Sequence, residues 1–384
     1  MKTIYFDNAA TTRVDDDVLK TMIPYFTEKY GNASSTHFIG QEAKNALEKS
    51  RNTIAKAIGA KSQEIYFTSG GTEANNLAIK GLFFWNQENN TGKNHIITTR
   101  IEHDCVLNTC RWLEKHGAQI TYLDVDAEGF ISLEELENSI TEKTILVSVI
   151  HGNNEVGTIQ DLEKIGEICK KKNVLFHTDA CQSFTKVSIN VKKFNLDLVT
   201  LNAHKIHGPK GVGALYIKKG IKITPLLHGG GQEFWLRSST ENVAGIVGFS
   251  KAVKVKGMFE IKNIAKLRDY FISELEKIPN VTINGARGEK RLCNNINVCF
   301  NNIEAESIGS FLNSKGIFTS VGSACSSHKL EPSHVLMALG KTHLEANSSI
   351  RISISKYTTK EEIDYALSEI KKTVNLLRKI SPFA

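Results

Sequence analysis

The stretch LDLVTLNAHKIHGPKGVGALYI, residues 196–217, decides the fold. Its first part is almost continuously apolar and ends at His204 and Lys205, and a glycine-rich turn then leads into a second apolar run. A short run with apolar residues at successive positions is typical of a strand that is buried on both faces of a sheet. The stretch therefore predicts strands inside a covered sheet, with a histidine and a lysine where the first strand ends.

Similar runs recur through the first two thirds of the chain. They are EIYFTSG, NHIITT, QITYLDV, TILVSVI and VLFHTDA, and segments with apolar residues at helical spacing, such as LEKIGEICKKK, lie between them. This strand–helix–strand order predicts an α/β fold with a mostly parallel sheet that is covered by helices.

The pattern changes near residue 255. The long helical pattern IAKLRDYFISELEKI is followed by the shorter strand-like runs NNINVCF and SIRISIS and by a final helix, for which Thr358 and Glu361 have the spacing of a capping box. We predict a large domain over residues 15–255, and a smaller α+β domain formed by residues 1–14 and 256–384.

The composition is that of an ordinary globular protein. The 384 residues are 41% hydrophobic and 23% charged, and the 48 basic and 41 acidic residues are scattered along the chain. Direct nucleic-acid binding usually requires a clustered basic surface, and no apolar run approaches the length of a membrane span. We therefore expect neither a nucleic acid nor a membrane as a partner.

The cysteines indicate a reducing compartment. Their number, seven, is odd, and the start MKTIYFDNAATT lacks the apolar core of a signal peptide, so we predict a cytoplasmic protein. His103, Cys105 and Cys110 are close in sequence but lack the paired CxxC spacing of a zinc site. We expect no metal.

Polar residues follow several of the predicted strands. Asp179 ends one run, Lys205 follows the next, and Gly71 and Thr72 lie between a strand and a helix, where backbone amides can bind a phosphate. Taken singly, Asp179 could be a helix N-cap and the Gly-Gly-Thr segment a simple turn. Together, a lysine able to form an imine, an acid and a phosphate-binding turn are what pyridoxal phosphate requires.

Eleven segments, taken in order, resemble one known family. They are YFDNAATT, YGNASSTH, TSGGTEANN, EHDCVLNTC, NNEVGTIQ, HTDACQ, AHKIHGPKG, GGGQE, RSSTENVAGIVG, GSACSSHKLEPSHVLMALG and SIRISIS. The chain resembles the cysteine desulfurases of the NifS/IscS type, which are class-V aminotransferases of the fold-type I architecture. The resemblance implies a seven-stranded sheet and a homodimer. It also implies removal of sulfur from L-cysteine, giving L-alanine, for iron-sulfur cluster assembly through a NifU/IscU-like scaffold or another acceptor.

The resemblance also implies the roles of individual residues. Lys205 would hold pyridoxal phosphate, Asp179 would pair with its pyridine nitrogen and Gln182 with its ring hydroxyl, while His103 would stack on the ring and, like Lys205, is a candidate proton carrier. The residues implied at or near the phosphate are Gly71, Thr72, Asn202, His204 and, from the neighbouring subunit, Thr240.

Asn154 and Arg351 would hold the substrate, and Cys325 would accept its sulfur as a persulfide. Arg351 alternates with isoleucines and is expected to face away from their buried side; an anonymous arginine in this pattern would be a surface residue. Cys325 lies among small and polar residues, which predicts a mobile loop at about residues 320–332. Such a loop would suit a thiolate that must carry sulfur away from the site.

Four residues depart from the family pattern. Asn202 replaces a usual serine, Phe234 and Trp235 replace a common Arg-Gly pair, and Ser239 replaces a glycine that could require a positive φ. The chain also stops at LLRKISPFA, which puts scaffold docking in doubt. Three alternatives remain open: a selenocysteine lyase or aminotransferase of the same fold, an inactive paralogue that acts as a scaffold, and a cysteine hydrolase using Cys325 and His328.

Overall fold

The structure is a computed structural model that describes residues 3–254, 258–321 and 332–380. The strands are β1 (Ile4–Tyr5), β2 (Ile65–Thr68), β3 (His95–Thr99), β4 (Gln119–Leu123), β5 (Thr144–Ser148), β6 (Leu175–Asp179), β7 (Leu198–Asn202), β8 (Gly213–Ile217), β9 (Val281–Ile283), β10 (Asn295–Phe300), β11 (Ile317–Phe318), β12 (Ser320–Val321) and β13 (Ser349–Ser353). The helices are α1 (Asp16–Met22), α2 (Pro24–Thr27), α3 (Phe38–Ala57), α4 (Gly71–Glu88), α5 (Asp104–Glu114), α6 (Leu133–Ser139), α7 (Leu162–Lys171), α8 (Val243–Lys254), α9 (Met258–Leu275), α10 (Ala305–Ser314), α11 (His334–Ala338), α12 (His343–Asn347) and α13 (Lys360–Ile380).

Within the described part of the chain, seven strands form the main sheet in the order β2-β8-β7-β6-β5-β3-β4. Neighbouring strands from β7 to β4 are parallel, and β8 runs antiparallel to both of its neighbours. Strands β3, β5, β7 and β8 are buried at every residue. The predicted α/β fold with a mostly parallel, seven-stranded sheet is confirmed.

Successive residues of the main-sheet strands face two separate cores. On β3, Ile97 packs in the core that includes residues of α3, α7 and α8, and Ile96 packs in the core that includes residues of α4 and α5. This is the alternation expected for a strand with a helical layer on each side. Because both faces are covered, polar side chains gather where the strands end.

The C-terminal third of the chain builds a further core. Strands β12-β13-β10-β9 form an antiparallel sheet, whose apolar residues pack with those of α9, α10 and α13. The N-terminal segment contributes to this core, since β1 pairs with β11 and both Ile4 and Phe6 are buried there. The domain boundaries given above stay a prediction.

The last helix is capped one residue later than the sequence indicated. Thr359 Oγ1 accepts from the backbone N–H of Glu362 at 3.3 Å, and Glu362 Oε2 accepts from the N–H of Thr359 at 3.2 Å. Thr358 Oγ1 instead accepts from the N–H of Ser355. The box predicted from Thr358 and Glu361 is therefore wrong, because TTKEE offers the same spacing twice.

The sequence predicted no membrane span. In the described ranges, no helix combines the length and the apolar character that crossing a bilayer requires.

Candidate active site

A cavity of about 240 Å³ lies at the carboxyl ends of the main-sheet strands, where the fold predicts a ligand. The structure brings most of the predicted site residues together around it. They are Gly71, Thr72, His103, Asn154, Asp179, Gln182, Asn202, His204, Lys205 and Arg351.

Lys205 lies three residues beyond the end of β7, and the N-terminal segment holds its amino group. Its Nζ donates to the carbonyl oxygens of Ala9 at 2.5 Å and Ala10 at 2.6 Å. Gln182 Nε2 donates to the same Ala9 oxygen at 2.9 Å. Residues far apart in sequence therefore fix the position of the lysine at the cavity.

Asp179 is the last residue of β6 and is buried. Its Oδ2 accepts from Asn75 Nδ2 at 2.6 Å and its Oδ1 accepts from the N–H of Cys181 at 2.9 Å. The local hydrogen bond expected of a capping aspartate is thus present, but it uses only Oδ1 of the carboxylate. The other oxygen is bound by α4, so the carboxylate is fixed from two sides.

Gly71 begins α4 and closely approaches the turn after β6. A Cβ at this position would lie 2.6 Å from the sulfur of Cys181, a distance that real Cβ atoms do not adopt. Burial raises the pKa of the Cys181 thiol well above its usual value, so the sulfur is uncharged at neutral pH.

Asn202 Oδ1 is buried without a hydrogen-bond partner among the described residues. Such an orphan polar atom indicates a position for a ligand.

His204 and its surroundings make this part of the cavity electropositive without charging the imidazole. Burial, together with Lys205, Lys210 and Lys186, lowers the pKa of His204 to about 3. Its Nδ1 lies 3.2 Å from Thr11 Oγ1. A neutral imidazole among lysines is well suited to face an anionic group.

Arg351 is 2% exposed, because β13 lies between β12 and β10. The alternative of a surface arginine is therefore wrong. Its Nη2 donates to Asp7 Oδ1 at 2.8 Å and its Nη1 to the Asn154 carbonyl at 3.3 Å, while its Nε has no partner among the described residues. The side-chain oxygen of Asn154 is also unpartnered there. The buried Nε–H of Arg351 is a donor that can bind a carboxylate.

His103 caps α5 and lies next to Cys105, which in turn lies next to Asn75. Neither Cys105 nor Asn75 was assigned to the site from the sequence. His103 Nδ1 accepts from the N–H of Cys105 at 3.1 Å and lies 3.1 Å from the Cys105 sulfur. Asn75 Nδ2 lies 3.1 Å from that sulfur. Asn75 sits four residues after Gly71, on the same face of α4, and this spacing was the available signal for it.

The cavity does not test the predictions for Thr240 and Cys325. Thr240 is exposed and lines a different cavity of about 120 Å³, with Arg237 and Glu241 among its neighbours. Cys325, like His328, lies outside the described residues. These two predictions are untested by the geometry of the single chain.

The segment before Thr240 contains three of the four departures from the family pattern. Glu233, Phe234 and Trp235 all have positive φ, at 46°, 56° and 69°, and Ser239 has φ of 138°. The Phe234 ring packs edge-on against Tyr66, with centroids 6.0 Å apart. Phe234 thus has a packing partner, and Ser239 adopts the positive φ that a glycine accommodates more easily.

Comparisons with known proteins give the same family along nearly the whole chain. The family model of the class-V aminotransferases matches residues 4–366. The cysteine desulfurase IscS of Methanosarcina thermophila is 50% identical over 99% of this chain and 94% of its own length, and IscS of Dictyoglomus turgidum is 49% identical over 99% and 96%.

Solved structures agree. A NifS-like protein superposes with a TM-score of 0.91 at 42% identity, covering 98% of this chain and all of its own. SspA in complex with cysteine superposes with a TM-score of 0.83 at 39% identity, covering 93% of this chain and all of its own. The expected fold-type I architecture is confirmed. The chain belongs to the class-V aminotransferase family and, within it, to the cysteine desulfurases of the NifS/IscS type.

Proposed function

We propose that this protein is a pyridoxal-phosphate-dependent cysteine desulfurase that converts L-cysteine to L-alanine and leaves a persulfide on Cys325. One observation carries the proposal: Lys205, Asp179 and Arg351 line the same 240 Å³ cavity. A lysine, a buried carboxylate and a buried guanidinium match a cofactor with an aldehyde and a ring nitrogen, and a substrate with a carboxylate.

The residues present fit the cofactor. Lys205 would hold its aldehyde carbon, Asp179 its pyridine nitrogen and Gln182 its ring hydroxyl, with His103 against the ring. The unpartnered Asn202 Oδ1 marks a polar position beside Gly71, and an amide there can turn its N–H₂ group toward a phosphate. The residues assigned to the phosphate are Gly71, Thr72, Asn202 and His204. When bound, the cofactor supplies an electron sink for a carbanion at the substrate Cα.

The substrate would be oriented by Arg351 of β13 and by Asn154, which follows β5. Arg351 binds its carboxylate through the Nε–H that lacks a described partner, and Asn154 contributes its side-chain amide. Lys205 and His103 are the proton carriers beside the substrate Cα. His204, whose pKa is lowered by burial and the neighbouring lysines, is assigned to the phosphate and not to proton transfer.

Cys325 would attack the substrate sulfur, so that an S–S bond forms as the C–S bond breaks. The described residues on either side of its segment support this role. Ser320 pairs with Arg351, and His334 Nε2 lies 2.9 Å from the carbonyl of Glu102, the residue before His103. The described residues that come before and after Cys325 in sequence, Ser320 and His334, therefore lie beside residues at or next to the cavity.

Purified protein mixed with L-cysteine tests the proposal directly. We expect alanine to form and the peptide that contains Cys325 to gain about 32 daltons, the mass of one sulfur atom. The Cys325→Ser variant should lose both signals, while Ser326→Ala, a change in the same segment, should keep them. Alanine release at the wild-type rate by Cys325→Ser would exclude this mechanism.

We also propose a homodimer in which Thr240 completes the phosphate site of the partner subunit. Thr240 is exposed and outside the cavity of its own chain, and nearby Phe234 and Trp235 are 56% and 74% exposed. Exposed aromatic residues of this size are typical of interfaces. Sedimentation should give twice the monomer mass, and a Trp235→Glu variant should shift it toward the monomer.

The remaining assignments concern partners and compartment. We propose that sulfur passes from Cys325 to a NifU/IscU-like scaffold or another acceptor protein, for iron-sulfur cluster assembly, in the cytoplasm. The described cysteines are free thiols, which supports a reducing location. Transfer of labelled sulfur from the persulfide form to a purified scaffold would test the acceptor.

A further inference from the structure

A chain of hydrogen bonds joins Asp179 to His103 through Asn75 and Cys105. Asn75 Nδ2 lies 2.6 Å from Asp179 Oδ2 and 3.1 Å from the sulfur of Cys105, and that sulfur lies 3.1 Å from His103 Nδ1. Asn75 is fully buried and Cys105 is partly buried, and both line the 240 Å³ cavity. The chain connects the acid at the carboxyl end of β6 with the imidazole at the start of α5.

The direction of each bond follows from the group at its end. A carboxylate only accepts hydrogen bonds, so the N–H₂ group of Asn75, and not its oxygen, must face Asp179. The two hydrogens of this group then point to Asp179 Oδ2 and to the Cys105 sulfur. Because the sulfur receives a hydrogen from Asn75, its own hydrogen is available for His103.

The state of His103 Nδ1 is constrained from a second side. The backbone N–H of Cys105 donates to Nδ1 at 3.1 Å, which caps α5. To accept this bond, Nδ1 must present a lone pair. A proton on Nδ1 would face the hydrogens of both the backbone N–H and the thiol S–H of Cys105. In the neutral imidazole the proton is therefore on the other nitrogen, Nε2.

We propose that Cys105 is a positioning residue that holds neutral His103 in the tautomer with its proton on Nε2. The inference rests on the proposed function and deepens it. With its proton on Nε2, neutral His103 can donate at that nitrogen but cannot accept there. Of the two proton carriers, Lys205 therefore takes the proton from the substrate Cα, and His103 supplies one.

Cys110, on the same helix, provides a matched comparison. It is fully buried among apolar residues of α4 and α5, and burial raises its pKa to about 12. Removing the thiol of Cys110 costs packing in α5 but leaves the hydrogen bonds of His103 intact. Cys105→Ala removes the S–H donor, and Cys105→Ser restores a donor in the same place.

The test is nitrogen-15 NMR of the holoenzyme labelled in its histidine rings, with His103 identified by the signals missing in His103→Gln. We expect Nδ1 of His103 in the unprotonated range and Nε2 in the protonated range. In Cys105→Ala the ratio of this tautomer to the other should fall about twofold, the factor at the weak end of the hydrogen-bond range, because a thiol is a weak donor. Cys105→Ser should restore the ratio, and Cys110→Ala should not alter it.

Three results would overturn the inference: a proton on Nδ1 in the wild type, both nitrogens protonated, or a ratio unchanged in Cys105→Ala. If Cys105→Ala fails to fold, as seen by circular dichroism, Cys105→Val replaces it because it fills the volume without a donor. The NMR result does not depend on turnover. A protein with the expected tautomer but no alanine formation would leave this inference standing and overturn the proposed function.

Discussion

Arg51 and Glu233 form a buried ion pair with two hydrogen bonds, of 2.6 and 2.8 Å. Glu233 Oε2 also accepts from the N–H of Phe67 at 2.7 Å, and Arg51 Nη1 donates to the Ile65 carbonyl at 2.7 Å. The pair thus fixes the left-handed turn that begins at Glu233 against β2. Positive φ is unfavourable for these side chains, and the buried pair offsets that cost.

Removing one partner of this pair should destabilise the protein strongly. We expect Glu233→Gln to lower the free energy of unfolding by about 3 kcal/mol, because it leaves the buried Arg51 charge with only the partly exposed Glu48 as an acidic partner. Denaturant unfolding followed by circular dichroism measures this. The surface pair Lys193–Glu163, at 60% and 43% exposure, is the control, and Glu163→Gln should leave the midpoint unchanged.

Ser239 should be a site where glycine stabilises the fold. Its φ of 138° is strained for a residue with a Cβ, so Ser239→Gly should raise the free energy of unfolding by about 1 kcal/mol. Ser239→Ala keeps the Cβ and should give no gain. Equal stability of the glycine and alanine variants in the same unfolding assay would show that the backbone here is relaxed.

Asp15 should make stability depend on pH in the acid range. Burial raises its pKa, but hydrogen bonds from Lys356, Tyr357 and the N–H of Asp17 outweigh burial and hold the pKa well below its usual value. The stabilisation is therefore present above the unfolded pKa of about 4 and is lost as the pH falls toward the folded value. Asp15→Asn keeps the helix cap but removes the carboxylate charge that Lys356 stabilises. The melting temperature of this variant should therefore be below that of the wild type at pH 7. The gap should narrow below pH 4. The exposed Asp17→Asn should show no such gap.

Glu102 should act in the opposite sense. Burial raises its pKa to about 8, so the folded state holds a proton that the unfolded state releases above about pH 4. The wild type therefore loses stability as pH rises from the unfolded value through the folded value. Glu102→Gln can still accept from Thr99 and Ile150. Its melting temperature should match the wild type at about pH 4 and exceed it at pH 8, whereas a change at the exposed Glu114 should have no such effect.

Gly71 should be required for cofactor binding because of Cys181. A methyl group at position 71 would lie 2.6 Å from the Cys181 sulfur, so Gly71→Ala should shift the start of α4 and lower the visible absorbance of bound cofactor to a small fraction of the wild-type value. Replacing that sulfur removes the clash. The double variant Gly71→Ala/Cys181→Ala should recover much of the absorbance, and failure to recover would mean that the backbone, not the sulfur, sets the requirement.

The sequence predicted those site residues that directly follow apolar runs. Asp179 and Lys205 could be found because one ends a buried strand and the other follows shortly after the next, and parallel strands end at one edge. The burial of Arg351 could not be foreseen, because alternation says which way a side chain points but not whether a further strand covers it. For Asn75 the only signal was its helical spacing from Gly71. Cys105 acts through contacts that join different elements, and no local pattern reports such contacts. The role proposed for Thr240 involves a second chain, which no pattern within one sequence reports.

The bonds from Lys205 to the Ala9 and Ala10 carbonyls span 196 and 195 residues of sequence. Lys205 follows a strand of the main sheet, whereas those carbonyls follow β1, which is anchored by β11. The main sheet can thus form while this contact is still missing. Formation of the cavity then requires a contact between residues that are far apart in sequence, which is a slow step in folding. For the same reason, a version trimmed of its first ten residues would retain every reactive side chain yet lose the acceptors that position its lysine.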